Sequence, residues 1–210
     1  MIAVPRPAAV AAADERSRAQ RTRILKAAHQ CFAESGFHAA SMADISVRAG
    51  MSPGLIYRYF ENKSAIIQAI VQQQLDLARE RVRVSCGIDL TQKMIDEFGN
   101  ASTDDEAKLN PALLLELSAE ATRDPQIAAA VQSFDHELRS LLVEWLARNG
   151  NGDVRAAAQA AAPARALMLQ IIFEGLRVRE TREPGLDRDL LAAALRQCLP
   201  ALLGPAESAG

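Results

Sequence analysis

Aromatic side chains are scarce in this chain of 210 residues, which holds six Phe, two Tyr and one Trp although about half of its residues are hydrophobic. Alanine and leucine fill the apolar share, which favours helices over strands. No segment alternates apolar and polar residues as a half-buried strand does, so an all-α fold is expected. Cys31, Cys86 and Cys198 are too few and too far apart for a disulfide framework or a metal site. They suit a reducing, cytoplasmic location, with Cys31 a packing residue between Ala28 and Phe32. No apolar run approaches the ~20 residues of a bilayer span, so no membrane partner is expected. The opening stretch, MIAVPRPAAVAAADERSR, lacks the order of a signal peptide and reads as a loose arm over 1–15.

Enzymatic signatures are missing too. There is no HExxH, no phosphate-cradling glycine loop and no paired cysteines. The three histidines are His29, His38 and His136. His136 stands among Asp135, Glu137 and Arg139 on one helical turn, where sequence neighbours point different ways and cannot form a triad. Catalytic residues, cofactor and metal are therefore all expected to be none. An enzyme remains the remote alternative, behind a helical structural or interaction protein that binds no specific DNA.

The informative stretch is 41–63. Ser41 can cap a short helix with Asp44 in its first turn, Met42, Ile45 and Ala49 recur at helical spacing, and Gly50 permits a tight turn. Ser52 then reads as a second cap, with Pro53 at a position where a missing N–H costs nothing. Two short helices joined so tightly make a helix-turn-helix, although a plain corner in a helical domain has the same periodicity. Tyr57, Arg58 and Tyr59 crowd a helix too short to bury all three. Asn62 can cap the following helix, and Lys63 beside it places a cation at a helix N-terminus, equipment for a phosphate.

Charge is unevenly spread. Residues 1–65 hold nine Lys or Arg against five acids, a net +4, and the whole chain is at −2, which leaves the remainder at −6. A basic head on an acidic body suits contact with double-stranded DNA at one end only.

The runs SMADISVRAGMS and GLIYRYFENK, following RTRILKAAHQCFAESGFHAASM without a gap, resemble the DNA-binding signature of the tetracycline-repressor (TetR) family. The resemblance spans about a quarter of the chain. It implies a three-helix DNA-binding head followed by a helical ligand-binding and dimerisation body. It also implies a homodimeric repressor that leaves a palindromic operator when a small molecule binds. Ser41, Tyr57 and Lys63 are then expected at phosphates, and Pro53, Gly54, Leu55 and Arg58 at base edges, with Ser52 and Tyr59 beside them. Four positions depart from the family pattern. Ser46 replaces a buried alanine and must bond to its own helix. Val47 replaces a polar residue and is expected to be exposed. Leu55 replaces a threonine and can meet only a thymine methyl, whereas Arg58, replacing a tyrosine, can take a guanine edge or a phosphate.

The head is expected over 16–61, its first helix over 16–35 and ended by Gly36 with an apolar contact from Phe37. The body follows over 62–204 and a flexible tail over 205–210. Its helices are expected at 62–83, around 90–98, at 111–122, 125–149 and 155–179, and at 186–203, about nine in the whole chain. Gly87, 100–110 and 150–153 read as interruptions. The resemblance places an effector among the central helices. Phe98, Leu113, Leu117, Phe134, Leu138, Leu141, Trp145, Leu169 and Phe173 could line an apolar pocket, or each could be ordinary core. Glu116, Glu120 and His136 are its candidate polar groups. The last two long helices carry more apolar surface than one core needs, which suggests a dimer interface through Leu167, Ile171, Leu191, Leu195 and Cys198.

Overall fold

A computed structural model describes residues 7–84, 90–98, 111–148 and 155–203. These form nine α-helices and no strand: α1 (Pro7–Ala39), α2 (Met42–Ala49), α3 (Pro53–Tyr57), α4 (Lys63–Val84), α5 (Leu90–Glu97), α6 (Pro111–Ala121), α7 (Pro125–Arg148), α8 (Arg155–Arg182) and α9 (Arg188–Leu203). The expected interruptions at Gly87, 100–110 and 150–153, Cys86, and the tail over 205–210 lie outside the described residues. The chain divides into two compact units at Ile70 and Val71.

In the first unit α1 begins at Pro7, nine residues ahead of the expected start at 16. Residues 7–15, read above as part of a loose arm, are helical. A proline suits the first turn, and the alanines after it have the highest helix propensity. The helix breaks at Gly36, whose φ of 75° and ψ of 167° are open only to glycine. Phe37 then turns back onto Phe32, ring centroids 4.5 Å apart and tilted by 55°. Ile24, Ala28, Phe32, Phe37, Ile45, Ile56 and Phe60 are buried together with Ile66, Ile67 and Ile70 of α4. The compact division thus falls eight residues after Asn62, because α3 is a five-residue helix and the first turns of α4 close the core that it cannot.

The second unit has one large apolar cluster, in which Met94, Ile95 and Phe98 meet Leu142, Trp145 and Leu146 of α7, Leu169 of α8, and Leu191, Leu195 and Leu199 of α9. Leu113, Leu117 and Ile127 are buried at α6 and the start of α7. Arginines tie helix ends to this core: Arg188 donates to the carbonyl of Ile95 at 3.0 Å, and Arg165 donates to the carbonyl of Leu202. Both supply donors to carbonyls that a helix C-terminus leaves open. Between α7 and α8 the buried Gln170 accepts from Arg139 Nε at 2.8 Å and donates to the carbonyl of Asp135 at 2.9 Å, so both ends of its amide are satisfied. Among the described residues no helix is long and apolar enough to cross a membrane.

Candidate nucleic-acid interface

The first helix of the motif is fixed by a reciprocal cap. Asp44 N–H donates to Ser41 Oγ at 3.2 Å, while Ser41 N–H donates to Asp44 Oδ2 at 2.9 Å and Ser41 Oγ donates to the same oxygen at 2.6 Å. These bonds hold the Asp44 carboxyl below its ordinary range. Ser46, buried, donates to the carbonyl of Ala43 at 2.8 Å, which is the expected bond within its own helix. Gly50 closes α2 in the left-handed conformation, φ 61° and ψ 39°, and its N–H meets the carbonyls of Ser46 and Val47. A Cβ there would lie 2.6 Å from Nη2 of Arg23, so α1 also leans on that glycine.

After this turn α3 buries Ile56, and Phe60 follows it into the core. Ser52, Pro53, Gly54, Tyr57 and Arg58 are exposed, and Leu55 and Tyr59 are half-buried. The short helix therefore offers its first turn and its Tyr57–Arg58 edge outward, and nothing approaches the space beside Gly54. Val47 is 81% exposed, as its departure from the family pattern suggested. Ser52 has the backbone conformation of a cap but makes no side-chain cap bond, so its hydroxyl is not used inside the helix.

Two expected phosphate ligands are committed elsewhere. Lys63 Nζ donates to the carbonyls of Phe37 and Ala40, the latter at 3.2 Å, and so closes the end of α1. Ser41 spends its one hydroxyl proton on Asp44, whose carboxylate already occupies the N-terminus of α2. Both are internal ties. Asn62 is the cap that the sequence suggested, accepting from Ala65 N–H at 2.8 Å.

Sequence reasoning missed two further uses of charge. Arg48 forms a two-pronged pair with Glu34 of α1, Nη1 to Oε1 at 2.7 Å and Nη2 to Oε2, which holds the Glu34 carboxyl below its ordinary range. Arg21 lies over the Phe60 ring, 4.3 Å from its centroid. Neither partner is near in sequence, so only the fourteen-residue reach from Glu34 to Arg48, four helical turns with a break between, could have hinted at one.

Comparison with known proteins decides what this motif belongs to. Residues 24–70 match the family model of the bacterial regulatory proteins of the tetR family, and residues 90–204 match that of the C-terminal part of BetI-type transcriptional repressors. The chain belongs to the TetR family. It is 41% identical over 114 residues to the HTH-type transcriptional regulator UidR of Escherichia coli K12, a span of 54% of this chain and 57% of UidR. The aligned span thus covers little more than half the length of these curated relatives. Among solved structures it resembles Salmonella enterica GusR at 30% identity and a TM-score of 0.69, over 88% of this chain and 95% of GusR. A putative regulator from Saccharomonospora viridis in complex with choline shares the fold at 18% identity and a TM-score of 0.62, over 84% and 93% of the two chains. A family of transcriptional regulators sets the enzymatic reading aside.

As a TetR-family body, the second unit sorts the expected effector residues by depth. Phe98, Leu113, Leu117, Trp145 and Leu169 are buried, and Phe134, Leu138, Leu141 and Phe173 are half-buried. Glu116 and Glu120 are half-buried, and His136 is exposed. Phe98, Trp145 and Leu169 stand in the central cluster, as core.

The expected interface residues also divide. Leu167 and Ile171 are 40% and 49% exposed, with Met168 beside them at 45%, and Cys198 is exposed. Leu191 and Leu195 point the other way, buried at 6% and 4% in the core cluster. They cannot form an outward interface. The outward side of α9 is the one carrying Leu190, Ala194, Gln197 and Cys198, which are exposed.

Proposed function

We propose that this chain is a transcriptional repressor that binds a palindromic DNA site as a homodimer and releases it when a small, largely apolar molecule occupies its second unit. The observation that carries the reading is the exposed edge of α3. Gly50 turns the chain so that Ile56 and Phe60 are inward while Ser52, Pro53, Gly54, Tyr57 and Arg58 face solvent, the arrangement of a recognition helix. Ser52 and Tyr57 hydroxyls suit phosphates, Gly54 admits close approach, Leu55 suits a thymine methyl and Arg58 a guanine edge. The match of residues 90–204 to BetI-type repressors supports repression as the direction of control.

Dimerisation is supported by the exposed side of α8, where Leu167, Met168 and Ile171 form an apolar stripe that a second copy would cover. Two heads reading two half-sites add their energies, which one five-residue helix cannot match. The effector would lie among α6, α7 and α8, near Leu117, Phe134 and Leu138. Continuous α4 carries its effect to the head, since its first turns belong to one unit and the rest to the other. Effector and DNA then weaken each other by the same factor.

Selecting duplexes from fragments of the source genome, followed by anisotropy titrations, tests this. The expected result is a palindromic site whose affinity falls steeply with salt, and an Arg58→Ala variant weaker by ~1–3 kcal/mol with relaxed preference at one position per half-site. No enrichment of any site would overturn the reading.

A further inference from the structure

Along the outward side of α8, Ala160, Ala164, Leu167, Ile171, Glu174 and Val178 follow one another at alternating steps of four and three residues. That is the spacing of a helix seam. Ala160, Ala164, Leu167, Ile171 and Glu174 are exposed and Val178 is half-buried. The seam is apolar except for Glu174. It is also self-complementary in size. Around a two-fold axis midway between Leu167 and Ile171, with the helices antiparallel, Leu167 falls opposite the partner's Ile171. Glu174 falls opposite the partner's Ala164, and Val178 opposite the partner's Ala160. Large side chains meet at the axis, and each longer outer one meets an alanine. Moving the axis one turn toward the C-terminal end would set each carboxylate on the partner's Ile171, burying a charge against a branched side chain.

Resting on the reading that two copies associate through α8, we propose that this seam pairs antiparallel about that axis, with each Glu174 lying across the partner's Ala164 and fixing the register. A single polar residue in an apolar seam specifies alignment at some cost in strength. The same residue links assembly to protons. On the lone subunit Glu174 is exposed as a residue but its carboxyl is partly shielded from water, and this partial desolvation, with the neighbouring Asp135 of α7, pushes the carboxyl up, while Arg139 of α7 opposes them. Asp135 is itself pushed up by burial, again opposed by Arg139. Among the described residues, Asp135 and Arg139 of α7 are the charged groups that act on Glu174. Covering the carboxyl with a second subunit removes more water from it and raises it further. The dimer then binds more protons than two separate copies, so association strengthens as pH falls through the range of this carboxyl and weakens as pH rises above it.

Sedimentation equilibrium of the full chain tests the register by exchanging sizes. Ala164→Leu should weaken the dimer about tenfold or more, because leucine takes the space that Glu174 fills. Combining it with Glu174→Ala should recover most of the loss. Glu174→Gln should tighten the dimer at neutral pH and flatten its dependence between about pH 8 and about pH 5. Ala164, Glu174 and Ile171 are all on the surface, and circular dichroism checks that each variant folds. An Ala164→Leu protein that dimerises as the parent does, or one that Glu174→Ala fails to rescue, overturns the register. A parent that sediments as a monomer, or an Ile171→Glu variant that dimerises normally, instead overturns the α8 interface itself.

Discussion

Replacing Lys63 by methionine separates two roles that a lysine at the start of α4 can have. Methionine keeps most of the apolar stem and removes all three donors, so the carbonyls of Phe37 and Ala40 lose the ammonium that joins them. A hydrogen bond from a charged group contributes ~1.5–3 kcal/mol, and two bonds sharing one half-exposed ammonium give less than twice that. Water can replace part of the loss at the rim of the head. A destabilisation of the first unit by ~1–3 kcal/mol is therefore expected. Hydrogen exchange suits the measurement, because the Ala40 amide, bonded to the Gly36 carbonyl at 3.2 Å, and the first turns of α4 report on the end of α1 directly. Titrations with a duplex at several salt concentrations give the second readout. A residue holding a phosphate contributes about 0.9 to the logarithmic salt slope, and a residue holding carbonyls contributes nothing. Faster exchange with an unchanged slope is the expected pair. Unchanged exchange together with a slope reduced by about one would refute the reasoning and return Lys63 to the DNA backbone.

Gly50→Ala forces a side chain into φ 61° and against Arg23, and should cost ~1–2 kcal/mol in urea unfolding of the head while weakening DNA binding through a changed α2–α3 angle. Leu195→Ala should destabilise the second unit by ~2–5 kcal/mol, visible in thermal unfolding, since Leu195 is 4% exposed in the core cluster. Leu195→Glu is expected to unfold that unit instead of yielding folded monomers. The Asp44 carboxyl is held low by Ser41, so its contribution to α2 is complete above the ordinary carboxylate range and is lost as pH falls through its lowered folded value. An Asp44→Asn head should show a shallower loss of stability on acidification, and Ser41→Ala should cost ~0.5–2 kcal/mol at neutral pH.

Features that depend on neighbours in sequence were legible in advance. Ser41 with Asp44, Gly50, Pro53 and Asn62 act over four residues or fewer, and the chemistry of a cap or a turn is the same in any protein. The order of the helices was legible for the same reason. What escaped depends on distance along the chain. Lys63 reaches back 26 residues to Phe37, and Arg48 reaches 14 to Glu34, and nothing local distinguishes such a cation from one that awaits a phosphate. The direction of α9 was misjudged because Leu190, Leu191, Ala194, Leu195 and Cys198 cover both sides of one helix. Only the burial of Leu191 and Leu195, with Leu190 63% exposed, tells which side is core. The early start of α1 was hidden by its lack of an apolar stripe, although its alanines carried the propensity.

The internal employment of cations in the head has a consequence for how this protein would search for its site. Arg48 is neutralised by Glu34, Lys63 rests on two carbonyls and Arg21 is stacked on Phe60, so at least three of the nine basic residues in 1–65 have intramolecular partners. Non-specific association is driven by the counterions that a protein frees from the duplex, one set for each phosphate it neutralises. A head with fewer cations to spare frees fewer of them. It lingers less on random sequence, and a larger share of its discrimination falls to the few side chains that touch base edges.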